Sequence, residues 1–282
     1  MRTRPVVLAL ACALVAACAT APAPPPVAVA SPRTDLAALD AAIAGAWRDA
    51  GNIARDVHRR PRETLLFMGV APTDTVIEIT PGAGWFAEIL APYLQPRGQY
   101  IAAVMDPMAS PAGRQRDSQQ RSRDALTARF NAVPAHFSNA RVVAFDPKSP
   151  VFGTPGSADV VLTFRNVHNW RMAGNAEAMF RAFFDVLRPG GILGVKEHRA
   201  AGPVPADDRS GYVGQDQVIA LAQAAGFRLE ASSEINANPR DTKDHPNGVW
   251  TLPPANRHDA NDAQKYRAIG ESDRMTLRFV KP

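Results

Sequence analysis

The segment Thr75–Ile79, reading TVIEI, is rich in β-branched residues and apolar without alternation. A strand with one wet face alternates, whereas a strand covered on both faces reads as an unbroken apolar run. This segment therefore belongs inside a sheet with layers on both sides. Similar runs fall at residues 100–105, 141–145, 159–164 and 192–196. Helical spacing lies around and between them. Leu36, Leu39, Ile43 and Trp47 follow the capping residue Thr34 and predict a helix over residues 35–50. Pro61 opens a second helix carrying Leu65, Leu66 and Met68, which Gly69 ends. Phe86, Ile89, Leu90 and Leu94 form another apolar face, as do Met179, Phe180, Phe183 and Leu187, and residues 218–225 form the last helix. Phe227, Leu229 and Ala231 then alternate, and so do Met275, Leu277 and Phe279 at the end. Strands separated by helices pair parallel, and a final strand with no helix before it pairs most simply antiparallel. The pattern predicts an α/β fold: a doubly wound, Rossmann-like, seven-stranded, mostly parallel sheet with helices on both faces and the last strand antiparallel.

In such a sheet ligands bind beyond the C-terminal strand ends, where glycine turns and helix N-termini expose backbone N–H groups. The stretch VIEITPGAGW, residues 76–85, puts Glu78 at the end of the first strand and a turn containing Gly82 and Gly84 after it. Glycine there allows a sharp bend and an approach without a Cβ in the way. Asp106 closes the next strand, 28 residues beyond Glu78, where a carboxylate can grip the two hydroxyls of a ribose. Asp146 closes the one after that. Three strand-end carboxylates beside one glycine turn describe a nucleoside pocket.

The chain has 282 residues, 46% of them hydrophobic, enough for a large core. Its formal charge of +5 falls to +3 without Arg2 and Arg4, and no Lys/Arg block appears, so nucleic acid is not an expected partner. Those two arginines precede an apolar stretch, residues 6–17, too short to span a bilayer. The sequence LVAAC, residues 14–18, then resembles a bacterial lipobox, with Cys18 as the lipidated residue. Residues 1–18 are read as a signal peptide with lipobox, and residues 19–33, Ala/Pro-rich, as a tether. Residues 34–282 form the folded domain. The protein is expected to be exported, periplasmic or facing the periplasm, and to meet the membrane only through a lipid on Cys18. Cys12 and Cys18 are the only cysteines, so the domain has no disulfide, thiol nucleophile or thiolate metal site.

These motifs resemble the class I S-adenosylmethionine-dependent methyltransferases, and within them a group of predicted exported bacterial methyltransferases. The resemblance runs from about Arg55 to the C-terminus. VIEITPGAGW is similar to the family's first motif, an acid and glycine loop around the methionine part of the cofactor. VMDP matches the ribose acid at Asp106, and AFD the adenine-side position at Phe145 and Asp146. DVVLTFRNVHNW matches the fourth strand and the loop facing the methyl group. LRPGGIL matches the turn into the fifth strand, and AGFRLE with MTLRFV the sixth and seventh. The resemblance implies S-adenosyl-L-methionine as cofactor, held by Glu78, Thr80, Gly82, Gly84, Asp106, Asp146 and Arg165, and a small-molecule acceptor. Thr80 stands where the family has its first glycine, followed by Pro81; its hydroxyl can still bond the cofactor, on a stiffer turn. HNW, residues 168–170, is similar to the HDW of small-molecule O-methyltransferases, whose catalytic histidine lies a few residues later. This chain has Gly174 and Asn175 there, so no base carries over.

Methyl transfer asks mainly for alignment of acceptor and methyl, with a base added when the acceptor is a hydroxyl. His168 is the nearest base by loop position, with a purely structural role as its alternative. Asn166 and Arg165 are placed to touch the cofactor or the acceptor. Glu197 and His198 end the fifth strand at the ligand edge, as pocket residues or strand-end caps. Arg55, His58, Arg59 and Arg60 either close over the cofactor carboxylate or form a solvated face. Asp241, Asp244, His245, His258 and Asp259 match no metal-ligand spacing. No metal is expected, and their segment is read as a flexible loop over the site. A nicotinamide oxidoreductase would show GxGxxG at the first turn, which GAGW is not. The remaining alternative is a catalytically inactive nucleoside-binding or structural envelope lipoprotein with the same fold.

Overall fold

The computed structural model describes residues 33–282. The leader, the lipobox at Cys18 and nearly all of the expected tether lie outside the described residues. Seven strands form one sheet: β1 (Thr75–Ile79), β2 (Gln99–Met105), β3 (Ala140–Phe145), β4 (Ala158–Phe164), β5 (Leu187–His198), β6 (Arg228–Ser233) and β7 (Arg274–Val280). Their order is β3-β2-β1-β4-β5-β7-β6. β1 to β5 pair parallel, and β7 inserts antiparallel between β5 and β6. The expected doubly wound sheet with an antiparallel last strand is what the chain forms.

Each face of the sheet carries its own core. Val76, Tyr100, Ala102 and Leu162 pack against Leu39, Leu65, Met68 and the helix Ala87–Leu94 on one side. Ile77, Ile79, Val161, Leu193, Val195 and Leu277 pack on the other against the helices Ala176–Val186 and Gln215–Ala224. Successive β1 residues thus feed opposite cores, which is why TVIEI shows no alternation. Each such side chain contributes about 1.5–3 kcal/mol through burial.

The strand order reverses between β1 and β4, and both leave the sheet at the same edge. The chain turns out of each through a non-glycine residue in the left-handed region, Thr80 (φ 50°) and Arg165 (φ 63°). Thr80 N–H donates to the Ala103 carbonyl at 2.8 Å, and Arg165 N–H to the Lys196 carbonyl at 2.7 Å. Such conformations cost of order 1–3 kcal/mol and persist where the surroundings impose them, characteristically at sites. Two of them side by side mark the switch point of the sheet as the place to look.

The first helix is shorter than expected. It spans Leu36–Ile43, and a separate turn of helix follows at Ala50–Ile53. The buried Arg48 donates from Nη1 to the Ile43 carbonyl, capping the first helix, while Trp47 Nε1 donates to the Glu88 carbonyl at 2.8 Å. Trp47, expected to prolong the helix, is instead anchored to the helix Ala87–Leu94. Among the described residues no helix is long and apolar enough to cross a membrane.

Candidate active site

Two cavities open over the C-terminal ends of the strands and meet at Thr80, Asn166 and Asn169, which line both. The larger, about 560 Å³, lies beyond β2 and β3, between Met105, Ala109 and Ser110 on one side and Pro147, Lys148 and Trp170 on the other. The smaller, about 320 Å³, lies over β1, β4 and β5 and is floored by Glu78, Gly82, Phe86, Phe164, His168 and His198.

The two glycines of the first turn do different work. At Gly82 (φ 61°) an added Cβ would meet nothing within 4 Å, so its backbone faces open space beside the smaller cavity. At Gly84 (φ 81°) a Cβ would lie 2.9 Å from Leu126 Cδ1, so this glycine serves close packing. Between the cavities the Thr80 hydroxyl is buried without a hydrogen-bond partner. An orphaned buried hydroxyl costs free energy that a ligand recovers.

The expected carboxylates are placed as follows. Glu78 is buried, accepts the Tyr100 hydroxyl at 2.7 Å and faces the smaller cavity. Burial pushes its carboxyl up to about 7, against the Tyr100 hydrogen bond and the nearby Arg59, Lys196 and Arg165, which hold it down. Asp106 follows β2 and receives the Met108 N–H on Oδ1 at 2.9 Å. Asp146 follows β3, is exposed, and receives the Lys148 N–H at 2.9 Å. Neither aspartate lines either of these two cavities, but each shapes a turn that does, since Met105, Ala109, Pro147 and Lys148 are lining residues.

Glu78 gives the ligand-free protein a pH dependence of known sign. Its carboxyl takes up a proton near pH 7 when folded and near 4.5 when unfolded. In that window the folded state holds more protons, so stability falls as pH rises, by about 3 kcal/mol in total. Urea denaturation of wild type and Glu78→Gln over roughly pH 5 to 8 should show the slope flattened in the variant. Equal slopes would mean the carboxylate is ionised throughout.

On the other side of the cavity β4 and β5 bring together residues 29 apart. His168, in the helix Val167–Ala173, places Nδ1 3.0 Å from Glu197 Oε1. Glu197 is fully buried and also receives the backbone N–H of His168 on Oε2 at 3.2 Å and of His198 on Oε1 at 2.7 Å. Three N–H groups on one side chain are the set a carboxylate accepts, so Nδ1 of His168 carries the hydrogen and Nε2 is left as the acceptor nitrogen. His198 packs beside it, ring centroids 5.3 Å apart, with its own Nδ1 on the Ser272 hydroxyl. Burial, then the neighbouring His168 and Arg274, hold its imidazole well below the usual range, so it is neutral. Asn166 donates its amide to the Ile79 carbonyl at 2.9 Å, tying the end of β4 to the end of β1.

His168, Glu197 and His198 offer three potential metal ligands within 4.8 Å of one another. Both Glu197 oxygens are already engaged by N–H groups, and the nearest charged neighbours are guanidinium groups, an environment poor for a cation. Asp241, named above for its spacing, is instead a buried hub that accepts the Tyr212 hydroxyl, His245 Nε2 and the Asp273 N–H. It pins the segment that carries Val249, Trp250 and Pro253–Ala255 over the smaller cavity. The loop expected over the site is there, held by a polar network rather than left loose.

Of the four basic residues at 55–60, only Arg59 lines the cavity, over the Trp85 ring at 4.8 Å; His58 and Arg60 are exposed. Burial, then Arg165, lower its guanidinium to about 8. Three contributors escaped the sequence reading: Trp250 in the covering segment, Arg274 at the start of β7, and Glu271 just before it. Arg274 and Glu271 approach the cavity because β7 inserts between β5 and β6, a placement that no local pattern announces.

No family model matches the chain, and no curated protein matches it in sequence. Solved structures match its fold. A SAM-dependent methyltransferase from Aquifex aeolicus aligns with a TM-score of 0.55 and 12% identity over 88% of this chain and 99% of that one. The [4+2]-cyclase SpnF aligns with a TM-score of 0.57 and 15% identity over 88% and 93%. The O-methyltransferase region of StiE gives 0.53 and 16% over 86% and 81%. At such identities the likeness is one of fold, and a cyclase among the neighbours shows that this frame does not dictate one reaction. The chain has the Rossmann-like fold of the S-adenosylmethionine-dependent methyltransferases, and its chemistry is to be argued from its own side chains.

Proposed function

We propose that the protein is an S-adenosylmethionine-dependent methyltransferase acting on a small-molecule acceptor, with His168 as general base. The observation that carries this reading is the pair of cavities meeting at the unpartnered Thr80 hydroxyl, with an oriented histidine across the smaller one. The larger cavity, mostly apolar-walled and flanked by the Asp106 and Asp146 turns, suits a nucleoside. The open backbone at Gly82 and the Thr80 hydroxyl suit the amino-acid portion. When bound, the cofactor supplies an electrophilic methyl on a sulfonium. The residues of the chain do the rest. Phe86, Phe164 and Trp250 exclude water, Asn166 fixes the spacing of β1 and β4, and Nε2 of His168 accepts the proton of an acceptor hydroxyl while Glu197 holds the ring.

Calorimetric titration tests the cofactor. S-adenosylmethionine and S-adenosylhomocysteine should bind one to one and NAD should not, with affinity falling at least about tenfold in Thr80→Val and in Asp106→Ala. Absence of binding by the sulfur nucleosides sinks the reading and leaves a fold relative with a non-catalytic envelope role.

The N-terminal sequence supports export and a lipid on Cys18, and we place the enzyme on the periplasmic side. Metabolic labelling with palmitate should mark the wild-type protein and not Cys18→Ser. Unlabelled wild type would argue for simple signal cleavage.

A further inference from the structure

The smaller cavity carries more positive charge than its carboxylates offset. Arg59, Arg165 and Arg274 line it with one carboxylate, Glu78, which accepts the Tyr100 hydroxyl, and Arg55 stands behind. Glu271, 3% exposed, is shared by Arg55, Arg59 and Arg274, with Arg55 at 2.7 Å and Arg59 at 3.7 Å. Glu197 is spent on His168 and two backbone N–H groups. Among the described residues the Arg165 guanidinium has neither a hydrogen bond nor an ion pair, although its backbone is held in the left-handed region. The Arg274 Nε is likewise buried without a partner.

The proposed cofactor does not cancel this excess. It carries one carboxylate, one ammonium and one sulfonium, so it brings a net positive charge. Buried charge without compensation is strongly disfavoured, and a second, anionic occupant removes the imbalance. Position says which occupant this is. The nucleoside cavity lies beyond β2 and β3, and Thr80 and Gly82 line the β1 side of the smaller cavity, whereas Arg165 follows β4, His198 ends β5 and Arg274 opens β7. The groups over β4, β5 and β7 therefore face whatever is brought to the methyl group.

We infer that the acceptor is an anion, carrying a carboxylate-like group that Arg165 binds directly beside Arg274, with its nucleophilic atom toward His168. This rests on the methyltransferase reading above. It assigns to the acceptor Arg165, which the resemblance places on the cofactor and whose loop position is open to either. A planar guanidinium binds a carboxylate through two parallel N–H bonds, and Trp250, 5.9 Å from the His168 ring, offers an aromatic wall for the body of such a molecule.

The test uses a matched pair of probes, benzoate and benzamide, alike in shape and different in charge. Each is titrated into the protein saturated with S-adenosylhomocysteine. Benzoate should bind at least about tenfold more tightly than benzamide, and Arg165→Met should remove that preference while keeping S-adenosylhomocysteine affinity within about threefold. Arg165→Lys, which retains the charge, should keep part of it, and stands in should the methionine variant fail to fold. Equal binding of the two probes, or binding of neither, by protein that holds S-adenosylhomocysteine overturns the inference and leaves the methyltransferase reading standing. Loss of S-adenosylhomocysteine from a folded Arg165 variant also overturns it, because the guanidinium would then serve the cofactor. Failure of the wild type to bind S-adenosylhomocysteine is the separate failure of the underlying reading.

Discussion

Glu271→Gln should destabilise the ligand-free protein by roughly 3–5 kcal/mol at neutral pH, the cost of stripping one partner from a buried ion network. Glu271 is 3% exposed and Arg274 1%, so neither can turn to water for compensation. The carboxylate lies 2.7 Å from Arg55 and 3.7 Å from Arg59, and it is hydrogen-bonded to Arg274. Glutamine preserves the shape and removes the charge, leaving three guanidinium groups that repel one another inside the fold.

The pH profile separates this account from simple loss of packing. Burial alone would raise the Glu271 carboxyl, but Arg274, Arg59, Arg55 and Arg165 together overcome it and hold the group well below the usual carboxylate range. A depressed carboxyl contributes stability that is fully present above its unfolded value of 4.5 and is lost as pH falls through the folded value. Wild type and variant should therefore differ most at neutral pH and converge on acidification. Urea midpoints measured down the pH scale check this. A difference that stays constant with pH would mean that the carboxylate acts through packing, and no difference at pH 7 would remove the charge imbalance from consideration.

The centre of the sheet was legible because its strands are covered on both faces: continuous runs such as TVIEI leave few other assignments. The helix Arg114–Ala132 was not, since only Leu126 and Phe130 of its 19 residues are buried and the apolar period has too few marks to register. The first half of the site was equally local. Glu78, Thr80 and Gly82 lie within five residues of one another, and Asn166 and His168 follow β4 directly. What remained hidden depends on pairing across the sheet. Glu197 was visible as a strand-end acid, yet its hold on His168 exists only because β4 and β5 run parallel with Phe164 opposite Lys196. Arg274 lines the cavity, with Glu271 paired behind it, because β7 enters antiparallel beside β5; its direction was legible, its insertion between β5 and β6 was not. A sequence displays which residues follow a strand. It does not display which distant strand will open at the same edge.

That pairing of β4 with β5 sets the second large effect. Glu197→Gln should lower turnover of a phenolic acceptor by about 10²–10³, and His168→Ala by about 10²–10⁴, with S-adenosylhomocysteine affinity changed less than about threefold in either. The two residues fail for different reasons. His168 is the atom-contacting group, so its removal takes away the proton acceptor. Glu197 is a positioning residue: it fixes the ring and keeps the hydrogen on Nδ1, and glutamine can present its N–H to that nitrogen and turn Nε2 into a donor. A base is needed only while the acceptor holds its proton. Across a series of phenols of increasing acidity, the loss in both variants should therefore shrink and vanish for those already ionised at the assay pH. Turnover is read as release of S-adenosylhomocysteine. A loss independent of phenol acidity would show that His168 and Glu197 shape the pocket without moving a proton, whereas a graded loss ties the rate to Nε2 of His168 and to the buried carboxylate that orients it.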